Sequence, residues 1–256
     1  MQSIRFYIII VFLLGLNGCS LVNPDLAEGI REGQKQYARK NYLGAERLLT
    51  AAISKDPRSP AVAEAYYIRG LARLKLYRMN IAQQDFKRAL ALATRDDLKA
   101  NVHVCLASIA FEQEDWDTAY KYYKAAEVNL PILSPSDWIL FRLASSAQRS
   151  GRWEEGKKYF GRILREYPNS EVAKSAKRYM NCQYFTIQTG AFSNASGAQA
   201  QMSELRQAGL PARSEIINVN GKTLKRVSVG RYNYYSQASK GLAKVQKVVP
   251  NARIVP

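Results

Sequence analysis

The most informative stretch of the chain is residues 70–94, which read GLARLKLYRMNIAQQDFKRALALAT. Apolar residues recur in it at spacings of three and four, which is the pattern of amphipathic helices. The same arrangement returns every 37 residues over the first part of the chain. A repeat of this length predicts stacked helix pairs, because each pair can bury its apolar face only against its neighbours.

Each column of the repeat has a physical reason. Small residues let two antiparallel helices approach closely, and aromatic or long residues fill the space between them. A proline ends the second helix because it cannot continue the hydrogen-bond ladder. The columns are Gly33, Gly70, Ala107 and Ala144; Tyr42, Met79, Trp116 and Trp153; Ala45, Ala82, Ala119 and Gly156; Leu49, Phe86, Tyr123 and Phe160; Ala52, Ala89, Ala126 and Ile163; and Pro57, Thr94, Pro131 and Pro168.

This order of small, aromatic and alanine positions resembles the tetratricopeptide repeat (TPR). The 12-residue spacing from the first small residue to the first alanine agrees with that family in all four units. The 37-residue period is longer than the family's 34. The resemblance implies an all-α helical solenoid of four TPR-like repeats over residues 26–168. A capping helix and linker over 169–182 would follow, with the helix at 171–180.

The resemblance also implies a groove, lined by the first helix of each repeat, that binds an unidentified protein partner. Apolar periodicity does not separate groove residues from interhelix core residues, so both interpretations stay open for each position. Carried over by position, the groove residues are Tyr37, Tyr67, Leu71, Leu74, Val104, Phe111, Trp138 and Phe141.

After Asn181 the pattern changes to alternating β-branched and aromatic residues. This alternation predicts a strand over 184–192. A helix at 196–209, strands at 212–219 and 224–229, a helix at 236–249 and a strand at 252–255 follow. The predicted order is βαββαβ, a small α+β domain of the ferredoxin/RNP-like type with both helices on one face. The chain is therefore predicted to be multidomain.

Three motifs in this order resemble the SPOR (sporulation-related) domain over residues 183–256. The resemblance implies binding of peptidoglycan glycan strands that have lost their stem peptides, on the open face of the sheet. RNA-binding modules share the element order, but their aromatic strand motifs are missing here. The motifs are Ile187-Gln188-Thr189-Gly190-Ala191-Phe192, Leu205-Arg206-Gln207-Ala208-Gly209 and Lys225-Arg226-Val227-Ser228-Val229-Gly230-Arg231-Tyr232.

Strand alternation assigns residues to the two faces of this sheet. An amide at Gln188 can bond sugar hydroxyls and N-acetyl groups, and the fork of Arg226 suits the carboxylate exposed when a stem peptide is removed. Gly190 and Gly230 are expected at turns or bulges. We expect Phe185, Ile187, Val227 and Val229 to face the helices, with Phe192 and Tyr232 packing at strand ends. The predicted glycan-binding residues are Gln188, Arg226, Tyr184, Thr186, Leu224 and Ser228.

The first residues of the chain are typical of an exported protein. Arg5 precedes an apolar run of 11 residues, too short to span a bilayer, which predicts a signal peptide over 1–18. Residues 16–19, LNGC, resemble the lipobox of bacterial lipoproteins, although Asn17 departs from the pattern. The resemblance implies lipidation at Cys19, a linker over 19–25, and a cell-envelope location. Ser20 then implies the outer membrane, facing the periplasm.

The charge is strongly basic and unevenly concentrated. The net charge is +17, and residues 183–256 carry 10 basic against 2 acidic side chains, whereas residues 20–182 carry 27 against 19. A basic surface suits anionic lipid or an anionic cell-wall polymer, and export argues against nucleic acid.

Residues for catalysis or metal binding are scarce. His103 is the only histidine, and the chain has no CxxC, Walker or GxGxxG motif. We therefore expect no enzyme activity, no cofactor and no metal. Cys105 and Cys182 could pair in an oxidising compartment, but Cys105 falls within an apolar helical pattern, which favours a buried free thiol.

Two functions are compatible with these features. The first is a non-enzymatic lipoprotein that binds denuded peptidoglycan through its SPOR domain and recruits a protein through its TPR array, in cell division or cell-wall remodelling. The alternative is an outer-membrane or pilus/secretion assembly lipoprotein whose TPR array is the main functional part.

Overall fold

The computed structural model describes residues 24–129, 136–219 and 221–256. The predicted signal peptide, the lipobox with Cys19, and Pro131 lie outside the described residues. The chain forms two compact units, an N-terminal unit ending at Leu143 and a C-terminal unit beginning at Ala144.

Helices occupy the repeat region, two for each predicted unit of 37 residues. Asn41 and Asp115 cap second helices, since their side chains accept hydrogen bonds from the backbone N–H of Gly44 (3.0 Å) and Thr118 (3.2 Å). The helices are α1 (Pro24–Ala38), α2 (Tyr42–Lys55), α3 (Ala63–Lys75), α4 (Met79–Leu92), α5 (Asp96–Glu112), α6 (Trp116–Glu127), α7 (Ser136–Arg149), α8 (Trp153–Glu166) and α9 (Ala173–Tyr179). The predicted helical solenoid is therefore confirmed, and α9 lies within the range predicted for the capping helix.

The small-residue columns allow the close helix packing that the repeat predicted. A Cβ atom added at Gly70 would lie 2.7 Å from the Phe86 ring, and one at Gly33 would lie 2.5 Å from Leu49. Both partner side chains are fully buried. A larger residue in this column would therefore push α3 away from α4, or α1 away from α2, and open the core.

The sequence did not predict the backbone conformation between the two helices of each repeat. Lys40, Tyr77, Glu114 and Gly151 all have φ between 58° and 79°, the left-handed region. These positions are 37 residues apart. Each lies two residues after the end of the first helix of its pair, but only Gly151 has the residue type that this backbone favours.

The C-terminal unit combines α8 and α9 with a four-stranded antiparallel sheet. The strand order is β2-β3-β1-β4, which agrees with the predicted βαββαβ fold. The elements are β1 (Phe185–Phe192), α10 (Ala195–Gln207), β2 (Ala212–Val219), β3 (Lys222–Tyr232), α11 (Tyr235–Val245) and β4 (Arg253–Val255). Both helices pack on one face of the sheet and leave the other face open.

The covered face forms the core of the sheet domain. Ile187, Val227 and Val229 pack there against α10 and α11, as alternation predicted. Gly230 has φ +71° beside a register shift between β1 and β3, so its predicted place at a bulge is confirmed. Tyr232 packs on the same core, which confirms its expected packing role.

The last repeat helix shares a second, smaller core with the sheet domain. Trp153 at the start of α8 stacks on Phe185, with ring centroids 4.8 Å apart, and Ala238 joins them. The Trp153 indole N–H also donates to the main-chain oxygen of Asn233 (3.0 Å). The C-terminal unit is therefore built from helical repeat and sheet together.

Candidate functional site

The open face of the sheet carries polar and basic side chains on all four strands. Antiparallel partners point to the same side, so the register identifies them. The face includes Tyr184, Thr186 and Gln188 at and before β1, Arg213, Glu215 and Ile217 on β2, Leu224, Arg226, Ser228 and Arg231 on β3, and Arg253 and Val255 on β4. The sequence-predicted glycan residues therefore do share one surface.

Two of those predicted residues are hidden on this surface. Thr186 is 1% exposed and Ser228 is 0% exposed. Arg213 starts on β2 opposite Ser228, and its guanidinium reaches the Thr186 hydroxyl on β1 (3.3 Å), so its side chain crosses β3. Because Arg213 covers them, these two hydroxyls cannot contact a ligand directly in this conformation.

The hydroxyl of Thr186 is occupied by the backbone, whereas that of Ser228 is not. Thr186 Oγ1 donates to the main-chain oxygens of Gly230 (2.8 Å) or Val229 (3.3 Å). Ser228 Oγ has no hydrogen-bond partner among the described residues. A buried hydroxyl without a partner is costly, so the centre of this face has unused hydrogen-bonding capacity.

The predicted carboxylate-binding fork of Arg226 already has a partner. Its Nε donates to Glu215 Oε1 (2.8 Å), and the two charges form an ion pair across β2 and β3. The sequence does not reveal Glu215 as the partner, because the β2–β3 register decides which β2 residue lies opposite Arg226. A ligand carboxylate at Arg226 would have to compete with this carboxylate.

Gln188 and Leu224 remain partly exposed, at different places on the face. Gln188 lies between Ser228 on β3 and Arg253 on β4. Leu224 lies beside Ile217 near the β2–β3 turn. Gln188 therefore keeps the polar role predicted for it within reach of solvent.

Tyr184 lies at the opposite end of β1 and is surrounded by basic side chains. The guanidinium carbons of Arg231 and Arg213 lie 4.7 Å and 5.4 Å from its ring centroid. Both distances suit cation–π attraction. The sequence motifs included Arg231 without a role and did not include Arg213.

Comparison with protein families identifies this domain. The sequence model described as SPOR domain matches residues 183–255. Residues 183–255 are a SPOR domain. This is a peptidoglycan-binding family, so the chain is a cell-envelope protein. The SPOR motifs lie on β1, α10 and β3, and Gln188 and Arg226 occupy the open face of its sheet.

A second family match lies in the helical region. The model described as tetratricopeptide repeat matches residues 139–170, which contain α8. TPR and SPOR domains are binding modules, so the chain has a protein-interaction region in addition to its SPOR domain. No curated protein matches the chain.

One solved structure shows the same helical fold over part of the chain. A tetratricopeptide repeat protein from Parabacteroides merdae has a TM-score of 0.53 at 17% identity, over 62% of this chain and 59% of that one. The chain therefore spans less than two thirds of that protein. MamA AMB-1 has a TM-score of 0.49 at 18% identity, over 88% of this chain and 99% of that one. PilF of Pseudomonas aeruginosa has a TM-score of 0.47 at 18% identity, over 89% and 93%.

The predicted partner-groove residues divide into two groups. Tyr37, Tyr67, Leu71 and Leu74 are each less than 10% exposed and belong to the interhelix core of the N-terminal unit. Side chains buried to this extent offer a partner very little area. Val104, Phe111, Trp138 and Phe141 are partly exposed.

Two of the partly exposed side chains, Phe111 and Trp138, contact a cation. The Arg142 guanidinium carbon lies 4.5 Å from the Phe111 ring centroid and 4.7 Å from that of Trp138. Arg142 also pairs with Glu112 at 3.1 Å. This arrangement combines aromatic area with a charged group, as protein-binding surfaces commonly do.

The remaining reactive groups are held in neutral forms. Cys105 and Cys182 are free, and burial raises the pKa of the Cys105 thiol to about 12. Burial, with a further contribution from Lys99, lowers the pKa of His103, so the imidazole is neutral at pH 7. Both effects favour structural roles for these side chains.

The described part of the chain has neither a metal-binding cluster nor a membrane-spanning helix. It contains no group of three or more His, Cys, Asp or Glu side chains placed to bind a metal ion. Within residues 24–129, 136–219 and 221–256, no helix has the length and apolarity to cross a bilayer.

Proposed function

We propose that the protein is a non-enzymatic envelope lipoprotein that binds denuded glycan strands on the open face of its SPOR domain. The observation that carries the proposal is the combination on one face of the Gln188 amide, the Tyr184 ring and several guanidinium groups. Amides bond sugar hydroxyls and N-acetyl groups, aromatic rings stack on sugar faces, and guanidinium groups bind carboxylates. Sugar hydroxyls, N-acetyl groups, sugar faces and carboxylates are the groups that a glycan without stem peptides presents.

Sedimentation with purified sacculi tests this proposal. We expect the full-length chain in detergent to sediment with amidase-treated sacculi and much less with intact sacculi. The Gln188→Ala variant should bind treated sacculi roughly 3- to 10-fold more weakly, the effect of one or two lost hydrogen bonds. Gln207→Ala is the matched control, because Gln207 is exposed at the end of α10. Equal, weak binding to both kinds of sacculi would refute glycan recognition.

The TPR array is proposed to recruit a protein partner through the exposed aromatic group around Arg142. A chain lacking residues 26–143 retains the whole C-terminal unit, including Trp153 beneath the SPOR domain. If recruitment through the array is the main role, this deletion should abolish complementation of a null strain. Full complementation would reduce the array to a spacer and would also refute the assembly-lipoprotein alternative.

Lipidation at Cys19 is proposed to hold the chain in the outer membrane during division or wall remodelling. Two or three acyl chains anchor a protein firmly, since each buried methylene contributes about 0.8 kcal/mol. The Cys19→Ala variant should therefore leave the membrane fraction and lose labelling by radioactive palmitate. Unchanged fractionation and labelling would contradict the anchor. The septum is the expected position of the tagged chain in dividing cells.

A further inference from the structure

Two arginines of the SPOR domain converge on one aromatic ring. Arg213 and Arg231 come from different strands, β2 and β3, yet both guanidinium carbons lie within 5.4 Å of the Tyr184 ring centroid. The two centroid distances place the guanidinium carbons no more than about 10 Å apart, so the like charges repel each other and the ring offsets that repulsion only in part. The arrangement favours the arrival of a negative charge.

The acidic side chains of the domain do not supply that charge. Its only acidic side chains are Glu204 and Glu215. Glu204 is on α10, which packs on the covered face, and Glu215 pairs with Arg226. Among the described residues, neither Arg213 nor Arg231 takes part in an ion pair. Among the described residues, no ion pair with an acidic side chain therefore compensates their charges.

Neighbouring groups shape this end of the sheet for a small anion. Arg213 is held across the sheet by its hydrogen bond to Thr186, which limits the freedom it would lose on binding. Arg231 is exposed and can turn toward a ligand. A held and a mobile guanidinium together can offer several N–H donors to one carboxylate.

We infer that Arg213 and Arg231, gathered on Tyr184, bind the muramic acid carboxylate of the glycan strand. This inference rests on the proposed glycan binding and deepens it. A stem peptide converts that carboxylate into an uncharged amide and adds bulk. The Arg213–Arg231 pair thus distinguishes denuded from peptide-bearing strands, while Arg226 is neutralised by Glu215 and contributes no selectivity of this kind.

The position of the two arginines also indicates how the glycan strand would lie on the sheet. Gln188 on β1 and Tyr184 just before it are four residues apart on one face of the sheet, about 14 Å at 3.4 Å per residue. This separation exceeds one sugar ring. A glycan bonded by Gln188 at one end would therefore extend along β1 and place a later sugar at Tyr184, where the two arginines lie.

The experiment compares binding to amidase-treated sacculi before and after their carboxylates are coupled to methylamine with a carbodiimide. The full-length wild-type chain should lose roughly tenfold in affinity, the effect of losing a charge-assisted hydrogen-bonded contact. The Arg213→Gln/Arg231→Gln chain should bind untreated strands about tenfold more weakly. It should show no further change after coupling.

Matched variants separate this effect from a change in net charge or in folding. Lys240→Gln/Lys244→Gln removes the same charge from exposed positions on α11 and should behave as wild type. Arg231→Gln alone leaves the Arg213–Thr186 contact in place and should lose part of the discrimination. It keeps the test valid if the double variant folds poorly.

Three results would overturn the inference. The first is wild-type binding that does not change on amidation, which leaves glycan binding itself intact. The second is loss of discrimination in Arg226→Gln instead of the double variant. The third is displacement of the glycan by phosphatidylglycerol vesicles, which would make lipid phosphate the bound anion. Failure of wild-type chain to bind denuded sacculi at all would instead refute the proposed function.

Discussion

Replacement of Trp153 tests whether the last repeat and the SPOR domain are one folding unit. Trp153 is 8% exposed, stacks on Phe185 and donates a hydrogen bond to Asn233. Replacing a buried tryptophan with alanine typically costs about 3–5 kcal/mol, of which a hydrogen bond accounts for about 1 kcal/mol. We therefore expect Trp153→Ala to destabilise the C-terminal unit by about 3–5 kcal/mol and Trp153→Phe by about 1–2 kcal/mol.

Hydrogen exchange followed by mass spectrometry measures this loss of stability separately in the repeat and in the SPOR domain. The decisive amides are those of β1, which lies in the SPOR domain and not in the repeat. If both parts open together, Trp153→Ala should speed β1 exchange by about 100-fold, the factor that corresponds to about 3 kcal/mol. Trp153→Phe should speed it by about 5- to 30-fold, the factors that correspond to about 1–2 kcal/mol, because the ring contact with Phe185 remains.

The opposite distribution of exchange would refute the reasoning. If amides of α8 exchange faster in Trp153→Ala while those of β1 keep their wild-type rates, the repeat and the SPOR domain unfold independently. In that case a fragment beginning at residue 183 would be as stable as one beginning at residue 144. The structure instead predicts that the shorter fragment exposes the Phe185 surface and is the less stable of the two.

Two further predictions concern the helical array. Tyr77 is 92% exposed and has a left-handed backbone conformation, so Tyr77→Gly should raise the free energy of unfolding by about 0.5–1 kcal/mol. Gly151→Ala should lower it, because Gly151 has the same backbone conformation. A melting temperature that falls in Tyr77→Gly would contradict this prediction. Asp85 is 3% exposed and accepts hydrogen bonds from Arg69 (2.7 Å) and Arg73 (2.8 Å), so Asp85→Ala should cost about 3–5 kcal/mol in urea unfolding. A loss below about 1 kcal/mol would show that these arginines keep compensating partners without it.

The helical part of the fold followed from the sequence because its causes are local and periodic. Small residues at Gly33 and Gly70 and large ones at Leu49 and Phe86 recur at helical spacing, and the structure brings them into contact. The left-handed residues between helices could not be found in the same way. Only Gly151 is of the residue type that predicts a left-handed backbone, whereas Tyr77 adopts it because the surrounding helices require it.

In the sheet domain, too, local features could be predicted from the sequence and long-range contacts could not. Alternation along one strand is enough to place Gln188, Arg226 and Ser228 on one face, since side chains in a strand alternate regardless of their neighbours. What alternation cannot reveal is which residue of another strand lies opposite, or how far a long side chain extends. Register placed Glu215 beside Arg226, and the length of Arg213 carried its charge across β3.

The sequence by itself therefore determined the element order, the two domain types and the surface on which a ligand is proposed to bind. Only the tertiary structure decided which charges on that surface are already compensated. Arg226 is neutralised by Glu215, while Arg213 and Arg231 share Tyr184 and form no ion pair with an acidic side chain among the described residues. The physical reason is that charge compensation depends on distances of a few ångströms between residues far apart in the chain, and folding alone sets those distances.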